Sequence, residues 1–339
     1  MNDILIRNYE ETKEEILIDF DKDSFVSNWQ QNEAWEVSFT VPETLKNKAT
    51  FELIEFESYV IFEGEMYSIK QLRRYAVGQQ LFKAVTATHI YYTIQDGRQY
   101  NVITGTKSIS ELLTHIFKAG SRGFSWEVID PNNVFLKKEQ ENFGNDNYLN
   151  LINQILADYG AVVIPNNKHL VFYPSSEFGQ VTEEQIRYKY NTDDVSFDID
   201  TYALKTQIRG SGKKKEDDTY YFPPVTYTSP VSKQFGIRIQ DSIEDERYTI
   251  QGNMLEYLKQ SIHDYPDISG SVSLNWAISL EKGDKVSFIY EPLNINTLIQ
   301  VVGITKYPAL PNKPPEIVLS NTKKTMTAIL ANLTRKGLM

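Results

Sequence analysis

Two stretches near opposite ends of the chain share one alternating pattern, and this duplication constrains the fold more than any other feature. Residues 59–85 and 285–320 alternate apolar and polar side chains, as antiparallel strands with one buried face do. The matched pairs are Val60 with Val286, Phe62 with Phe288, Tyr67 with Ile299, Ile69 with Val301, Leu72 with Ile304, Arg74 with Lys306 and Tyr75 with Tyr307. The pattern predicts two similar β units in one chain. The alternative is a chance match, because all amphipathic hairpins share a period of two.

Length and composition predict several domains that are stabilised by packing alone. The 339 residues are too many for one ordinary small domain, and 41% hydrophobic with 24% charged residues is a globular composition. The chain has no cysteine, which excludes disulfides, thiolate metal sites and cysteine nucleophiles. The first residues lack a secretion-signal pattern, and no apolar run approaches the roughly 20 residues of a spanning helix. We therefore expect a protein made in a cytoplasm, without insertion into a membrane.

The net charge disfavours tight binding to duplex DNA. Proteins that grip the DNA backbone carry an excess of Lys and Arg, whereas this chain has 35 of them against 45 Asp and Glu, a formal charge of −10. A negative charge is compatible with a surface along which DNA passes without binding.

The N-terminal part of the chain predicts strands with almost no helix. Alternating segments are separated there by polar or glycine turns. The predicted strands cover residues 4–9, 14–19, 35–41, 51–56, 59–64, 66–72 and 81–94. The pattern changes from strand-like to helical at Gly105, after which Ser108 and Glu111 form a capping box ahead of an apolar helical stripe.

A second helix and a hairpin complete this middle region. An apolar stripe over residues 147–159 predicts the helix, with Asn145 and Asp146 as candidate N-caps and Gly160 in the left-handed position after its end. Two short apolar runs follow within residues 161–174, separated by polar turn residues, and predict a hairpin.

The later part of the chain predicts a second β unit with an insert. A third helix is predicted over residues 251–262, because Met254, Leu255, Leu258 and Ile262 fall on one face of it and Pro266 prevents its continuation. The predicted fold class is α+β and multi-domain, with two similar small β-barrels. Its parts are a first β-barrel at 1–96, an α/β unit at 97–190, a second β-barrel at 191–240 and 281–322, an inserted helix-strand subdomain at 241–280 and a C-terminal amphipathic helix at 323–339.

The histidines offer few catalytic or metal sites. None has the spacing of a zinc peptidase motif, and ordinary strand-end or surface roles are favoured for His89, His115, His169 and His263. The best metal or acid/base candidate is the group His263, Asp264 and Asp267, although a proline-containing turn explains that group equally well.

Other chemistry-bearing patterns have simpler explanations. Neighbouring carboxylates rarely face one site across a substrate, and the glycine-rich stretch at 210–213 lacks the spacing and following helix of a phosphate loop. The tryptophans could line a sugar groove, but they are scattered, which favours core packing. The residues considered are Glu139 with Glu141, Asp193 with Asp194, Gly210, Ser211, Gly212, Lys213, Trp29, Trp35, Trp126 and Trp276. No catalytic, cofactor-binding or metal-binding residue is predicted, and no cofactor is implied.

Four segments together resemble the hub proteins at the tip of bacteriophage tails. They are NYLNLINQILADYGAVVIPNNKHLVFYP from Asn147, KTQIRGSGKK from Lys205, LEKGDKVSFIY from Leu280 and KYPALPNKPPEIVLSN from Lys306. The chain is similar over nearly its whole length to the N-terminal, non-catalytic part of tail-associated lysins in the prophage endopeptidase tail family. The segments are architectural, and none is an enzyme signature.

The resemblance implies a structural role at a prophage tail tip or baseplate. In that family two similar barrels per chain let a homotrimer match the hexameric tail tube, around an axial channel through which DNA passes without specific binding. The implied partners are distal tail and tail-tube proteins, the tape-measure protein, and receptor-binding or lytic tip proteins. The implied location is the virion tail tip, after synthesis in the bacterial cytoplasm.

One departure from the family pattern concerns enzyme activity. Longer members have a peptidoglycan-degrading domain after this region, and here Met339 ends the sequence without room for one. We therefore expect no enzyme. The alternatives are a cell-wall peptidase or glycosidase that uses His263, Asp264 or a carboxylate pair, and a sugar-binding β module.

Overall fold

The computed structural model describes residues 3–265, 267–275, 279–293 and 295–319. The described chain forms two compact units. The first contains residues 3–194, 272–287 and 300–319, and the second contains residues 195–271 and 288–299.

An antiparallel sheet forms the N-terminal part of the first unit. Its strands are β1 (Leu5–Arg7), β2 (Glu14–Ile16), β3 (Asp21–Gln30), β4 (Ala34–Pro42), β5 (Tyr59–Phe62), β6 (Glu65–Val77) and β7 (Gln80–His89). Their hydrogen-bonded order is β2-β1-β5-β6-β7-β4-β3. Every second side chain of β4 is buried, which is the expected result of apolar and polar alternation on a sheet with one core face.

A short helix, α1 (Lys48–Leu53), occupies a segment for which the sequence predicts a strand. The buried Nζ of Lys83 donates hydrogen bonds to the carbonyl oxygens of Phe51 (2.6 Å) and Ile54 (2.7 Å) at the end of this helix. Those bonds satisfy carbonyl groups that every helix end leaves open. The prediction of strands alone is therefore wrong here, and also at the 3-10 helix Ile90–Asp96.

The middle of the first unit is an α/β region. Its elements are β8 (Arg98–Lys107), α2 (Ile109–Phe117), β9 (Ser125–Val128), β10 (Lys138–Asn147), α3 (Tyr148–Tyr159), β11 (Ala161–Asn166) and β12 (His169–Pro174). β8 pairs with β10, while β12 pairs antiparallel with β11 and parallel with β9. Both helices bury their apolar faces in one core with these sheets.

The ends of both helices follow from their sequence. The capping box of Ser108 and Glu111 is confirmed at the start of α2. Gly160 follows α3 with φ 61°, as predicted, because a left-handed residue after a helix favours glycine. The N-cap of α3 is Asn147, whose side chain accepts from the Asn150 N–H at 2.9 Å, so the predicted caps Asn145 and Asp146 are wrong.

The remaining elements lie after residue 180. They are β13 (Val181–Arg187), β14 (Asp194–Asp200), β15 (Gln207–Ser211), β16 (Val225–Thr228), α4 (Ser232–Phe235), β17 (Ile243–Glu244), α5 (Gln251–Ser261), β18 (Asp267–Ser273), β19 (Lys285–Tyr290), β20 (Ile295–Lys306) and β21 (Glu316–Leu319). In the second unit, β15 lies between β16 and β17, and the predicted helix α5 packs on this sheet. The shared core consists of Ile208, Phe222, Val225, Met254, Leu258 and Ile262.

The two predicted barrels are not confirmed, because β3 pairs with β20 instead of closing its own sheet. We call residues 272–287 and 300–319 of the first unit, which contain the paired part of β20, the second β region. β20 runs antiparallel to β3, with Gly303 opposite Gln30 and Lys306 opposite Ser27. On its other side β20 pairs with β21. Among the described residues no sheet closes on itself, and the chain is mostly β with several sheets.

Two predictions fall outside the described residues, namely the C-terminal helix at 323–339 and the position of Trp276. In the described part of the chain, no helix has the length and apolar character needed to cross a membrane.

Candidate functional site

The tips of two hairpins from different parts of the first unit interlock. The backbone N–H of Asn167, in the turn between β11 and β12, donates to Oε2 of Glu65 at 2.7 Å. The Asn167 side chain accepts from the Met66 N–H at 2.8 Å and donates to the Gly64 carbonyl at 3.0 Å. We call these contacts the hairpin interlock. Asn167 has φ 51°, a backbone conformation that asparagine tolerates better than most residues.

A second asparagine ties the N-terminal sheet to the same α/β region. Asn32 lies in the turn between β3 and β4, and its Nδ2 donates to the Ala161 carbonyl at 3.0 Å. Its Oδ1 accepts from the Val163 N–H at 3.1 Å. The side-chain amide thus takes the place of a strand partner along the edge of β11, and it satisfies two backbone groups there.

The buried imidazole of His89 joins the interlock through Glu65. Its Nδ1 accepts from the Tyr91 N–H at 3.2 Å, so Nε2 bears the proton and donates to Glu65 Oε2 at 3.0 Å. Burial lowers the pKa of His89, although Glu65 opposes this effect. Burial alone would raise the pKa of Glu65, but the hydrogen bonds from His89 and Asn167 outweigh it, so that pKa is lowered. A neutral imidazole therefore faces a carboxylate at neutral pH.

An aromatic and cationic pair completes the group. The Trp35 ring stacks on His89 with centroids 4.2 Å apart, and Nζ of Lys282 lies 3.2 Å from the Trp35 ring centroid. Burial lowers the pKa of Lys282 to about 8, although Glu65 opposes this shift. We call Trp35, Glu65, His89 and Lys282 the aromatic-ionic cluster.

The aromatic-ionic cluster borders a small cleft. The cleft has a volume of about 130 Å³ and is lined by Ser27, Trp29, Trp35, Glu63, Glu65, Tyr67, Lys282, Ile304 and Lys306. Both ring nitrogens of His89 already have hydrogen-bond partners, which leaves neither nitrogen to take a proton from a substrate. The arrangement therefore suits a structural role. The cluster joins the N-terminal sheet to Lys282 of the second β region, and Glu65 is also part of the hairpin interlock.

A serine, a histidine and a glutamate come together on the α/β region, and sequence reasoning missed them as a group. Ser125 lies opposite His169 in the parallel pair β9 and β12, and its Oγ is 2.8 Å from Nδ1 of His169. Nε2 of His169 is 3.5 Å from Oε1 of Glu127. The signal was available as Ser-x-Glu on one strand face, but its pairing with His169 depends on a register that the sequence does not specify.

This arrangement lacks two features of a serine hydrolase. The Ser125 N–H donates to the Lys168 carbonyl at 3.0 Å, and the N–H groups of Gly123 and Phe124 both donate to Ser121. These amides are therefore not available to stabilise an oxyanion. The distance from His169 to Glu127 is also at the limit of a hydrogen bond.

The other histidines have structural contacts. Nε2 of His115 lies 2.9 Å from the Asn101 carbonyl oxygen. In the second unit the backbone N–H of His263 donates to Oε1 of Gln240 at 3.1 Å, and Oδ2 of Asp264 accepts from the Ser229 hydroxyl. Asp267 begins β18, and its side chain is outside the described part. Among the side chains that the structure describes, no group of three or more His, Asp or Glu residues could hold a metal ion.

The glycines at 210–213 lie where space is short. A Cβ on Gly210 would approach Leu258 to 2.8 Å, and a Cβ on Gly212 would lie 2.2 Å from the Tyr248 carbonyl oxygen. Close packing therefore accounts for both glycines, and neither forms part of a phosphate loop.

The remaining candidates are dispersed. Glu139 accepts from the Thr106 hydroxyl at 2.6 Å, and Asp193 accepts from the Asn275 side chain at 2.9 Å. Glu141 is exposed on β10, and the side chain of Asp194 is outside the described part. Trp29 and Trp35 are buried in the N-terminal sheet, and Trp126 packs on the core of the α/β region.

Comparisons with known proteins give a consistent picture. Three family models match, namely the prophage endopeptidase tail N-terminal domain at residues 4–89, the prophage endopeptidase tail domain at 96–172 and the prophage endopeptidase tail at 180–330. Prophage tail protein gp18 from Listeria monocytogenes EGD-e is 50% identical over 98% of this chain and 99% of its own, with a TM-score of 0.75.

Two further solved structures are similar in fold alone. A tail protein from Neisseria meningitidis MC58 is 10% identical with a TM-score of 0.64, over 96% of this chain and 98% of its own. The 43 kDa tail protein of prophage MuSo2 from Shewanella oneidensis is 13% identical with a TM-score of 0.63, over 96% of this chain and 100% of its own. No curated protein matches the chain.

Proposed function

Because the chain belongs to the prophage endopeptidase tail family, we propose that this structural protein of a phage tail is the trimeric hub of its tip. In this proposal the hub adapts the hexameric tail tube to the tip and surrounds the path of DNA. The alternative, a cell-wall peptidase or glycosidase, has weaker support, since His89 has no ring nitrogen available and the amides at Ser125 are already hydrogen-bonded.

One observation supports the hub most directly. The N-terminal sheet and the second β region lie side by side in the first unit, joined by backbone hydrogen bonds between β3 and β20. Three copies of such a pair would present six β regions around one axis, so a threefold ring could match a sixfold tube. The side-by-side pairing needs no closed barrel.

The aromatic-ionic cluster would hold the two β regions of each pair together, and the hairpin interlock would hold the α/β region against the N-terminal sheet. Both sets of contacts join segments that are far apart in sequence. The α/β region at 97–190 and the insert at 241–280 would supply side contacts to tail-tube, tape-measure and receptor-binding or lytic tip proteins. The net charge of −10 favours DNA passage without binding.

Light scattering of the purified chain, together with cryo-electron microscopy of tails that contain a tagged copy, tests this proposal. We expect three copies per tail, in a ring at the tube end with six β regions around the axis. A tagged copy that is absent from tails, or present in six or twelve copies, would exclude the trimeric hub.

A further inference from the structure

An extended segment of the second unit, residues 236–240, is hydrogen-bonded along one edge only. The Arg238 carbonyl accepts from the N–H groups of Thr206 (2.7 Å) and Gln207 (3.0 Å). The Gln240 N–H donates to the Gln207 carbonyl at 2.8 Å, and Ile239 forms a parallel bridge with Gln207. The segment thus extends the small sheet of β15 by one strand-like edge.

The outer edge of this segment is open. In an extended chain successive peptide groups point to opposite sides, so the N–H and C=O groups of Ile237 and Ile239 point away from β15. Nothing in the described part of the chain hydrogen-bonds to them. The side chains are open too, with Ile237 56% and Ile239 68% exposed.

An unprotected strand edge of this kind is uncommon in natural sheets. Natural sheets protect free edges with lysine, proline, a bulge or a covering loop, because a bare edge pairs with other chains. Here two exposed β-branched residues flank a single arginine. The edge is therefore a good template for strand addition by another protein.

A groove of about 730 Å³ lies beside this edge. Its lining includes Asp200, Tyr202, Leu204, Lys205, Arg238 and Ile239. The Tyr202 side chain is 93% exposed and, with Ile239, gives the groove an apolar surface.

The charge of the groove indicates what would fill it. Within the described residues, Lys205 and Arg238 have no carboxylate at ion-pair distance, whereas Asp200 accepts a hydrogen bond from the Tyr202 N–H at 2.8 Å. Two unpaired cations beside an open edge, in a chain of net charge −10, favour an acidic ligand.

We propose that an extended acidic segment of another tail protein adds as a strand to residues 237–240. Its backbone pairs with the outward groups of Ile237 and Ile239, its apolar side chains cover Tyr202 and Ile239, and a carboxylate lies between Lys205 and Arg238. This inference rests on the proposed role in a tail and identifies one surface on which a neighbouring protein docks.

Matched variants test this docking surface in a prophage from which the native gene for this protein has been deleted. Tagged protein is supplied in trans, and its amount in sedimented tails is measured. We expect R238E to lower incorporation by about tenfold or more relative to K233E, which makes the same charge change on exposed α4. We expect I239P to behave like R238E and I239V like wild type, because only proline removes the outward N–H.

Hydrogen exchange of the wild-type protein gives a readout that does not depend on whether a variant folds. The amides of Ile237 and Ile239 should exchange rapidly in the purified wild-type protein and at least about tenfold more slowly in tails. Equal exchange in both states, or R238E incorporation equal to that of K233E, would overturn the docking surface. Protection in the purified protein that is lost with its oligomeric state would instead assign the edge to a second copy and overturn the proposed occupant. Wild-type protein that never enters tails would refute the hub itself.

Discussion

Oε2 of Glu65 accepts two hydrogen bonds at once, 3.0 Å from Nε2 of His89 and 2.7 Å from the backbone of Asn167. One carboxylate thereby connects the end of β7 with a turn of the α/β region, and Lys282 contributes a third segment through Trp35. Because the imidazole is neutral and the carboxylate is charged, the strength of this connection depends on pH.

We expect the protein to lose stability in acid in two steps. Burial keeps the pKa of folded His89 below its ordinary value of 6.5, so the unfolded chain binds this proton first and stability falls as the pH drops below about 6.5. The lowered pKa of Glu65 adds a second loss below its ordinary value of 4.5. H89Q should lack the first step. Urea midpoints of both proteins between pH 7 and pH 5 measure it, and equal slopes would contradict the assignment.

Asn167 should contribute more to stability than its turn conformation alone requires. N167A loses the side-chain hydrogen bonds to Met66 and Gly64 and places alanine at positive φ, for a cost of about 2–4 kcal/mol. Asn133 is the matched control, since it is exposed with φ 55° and N133A should cost only about 1–2 kcal/mol. Urea denaturation measures both. Equal losses would show that the interlock adds nothing.

Lys83 should be the lysine that the N-terminal sheet tolerates losing least. K83M leaves the carbonyl groups of Phe51 and Ile54 without their buried donor, which should cost about 3 kcal/mol. K70M removes an exposed lysine from its ion pair with Glu57 and should cost less than about 1 kcal/mol. The difference in free energy of unfolding tests the role of Lys83 in ending α1. It would be refuted by similar values for the two variants.

Signals confined to neighbouring residues predicted the structure well. The capping box at Ser108, the left-handed Gly160 and the hairpin over 161–174 all depend on a few adjacent residues, and the structure has all three. The first four repeated pairs, from Val60 with Val286 to Ile69 with Val301, are buried as the alternation requires, whereas Leu72 and Tyr75 are half-buried.

Contacts between distant residues were not predictable in the same way. Glu65 and Asn167 are 102 residues apart, and each looks like an ordinary turn residue. The alternating pattern of the sequence predicts no strand over Asp21–Gln30, because that strand begins with the exposed and charged Asp21, Lys22 and Asp23. The pairing of this strand with β20 is a second contact between distant residues, and it accounts for the absence of a closed barrel.

Ser125 provides the sharpest test of whether this chain is an enzyme. If the contacts of Ser125, His169 and Glu127 formed an active site, S125A would abolish hydrolysis, since the attacking oxygen would be gone. We expect neither the wild type nor S125A to release peptide or sugar fragments from purified peptidoglycan, because the neighbouring amides are already hydrogen-bonded. Mass spectrometry of soluble fragments is the measurement, with a known hydrolase as positive control and T114A, which removes an exposed hydroxyl from the outer face of α2, as the matched variant. Fragments released by the wild type and T114A but not by S125A would overturn the structural assignment.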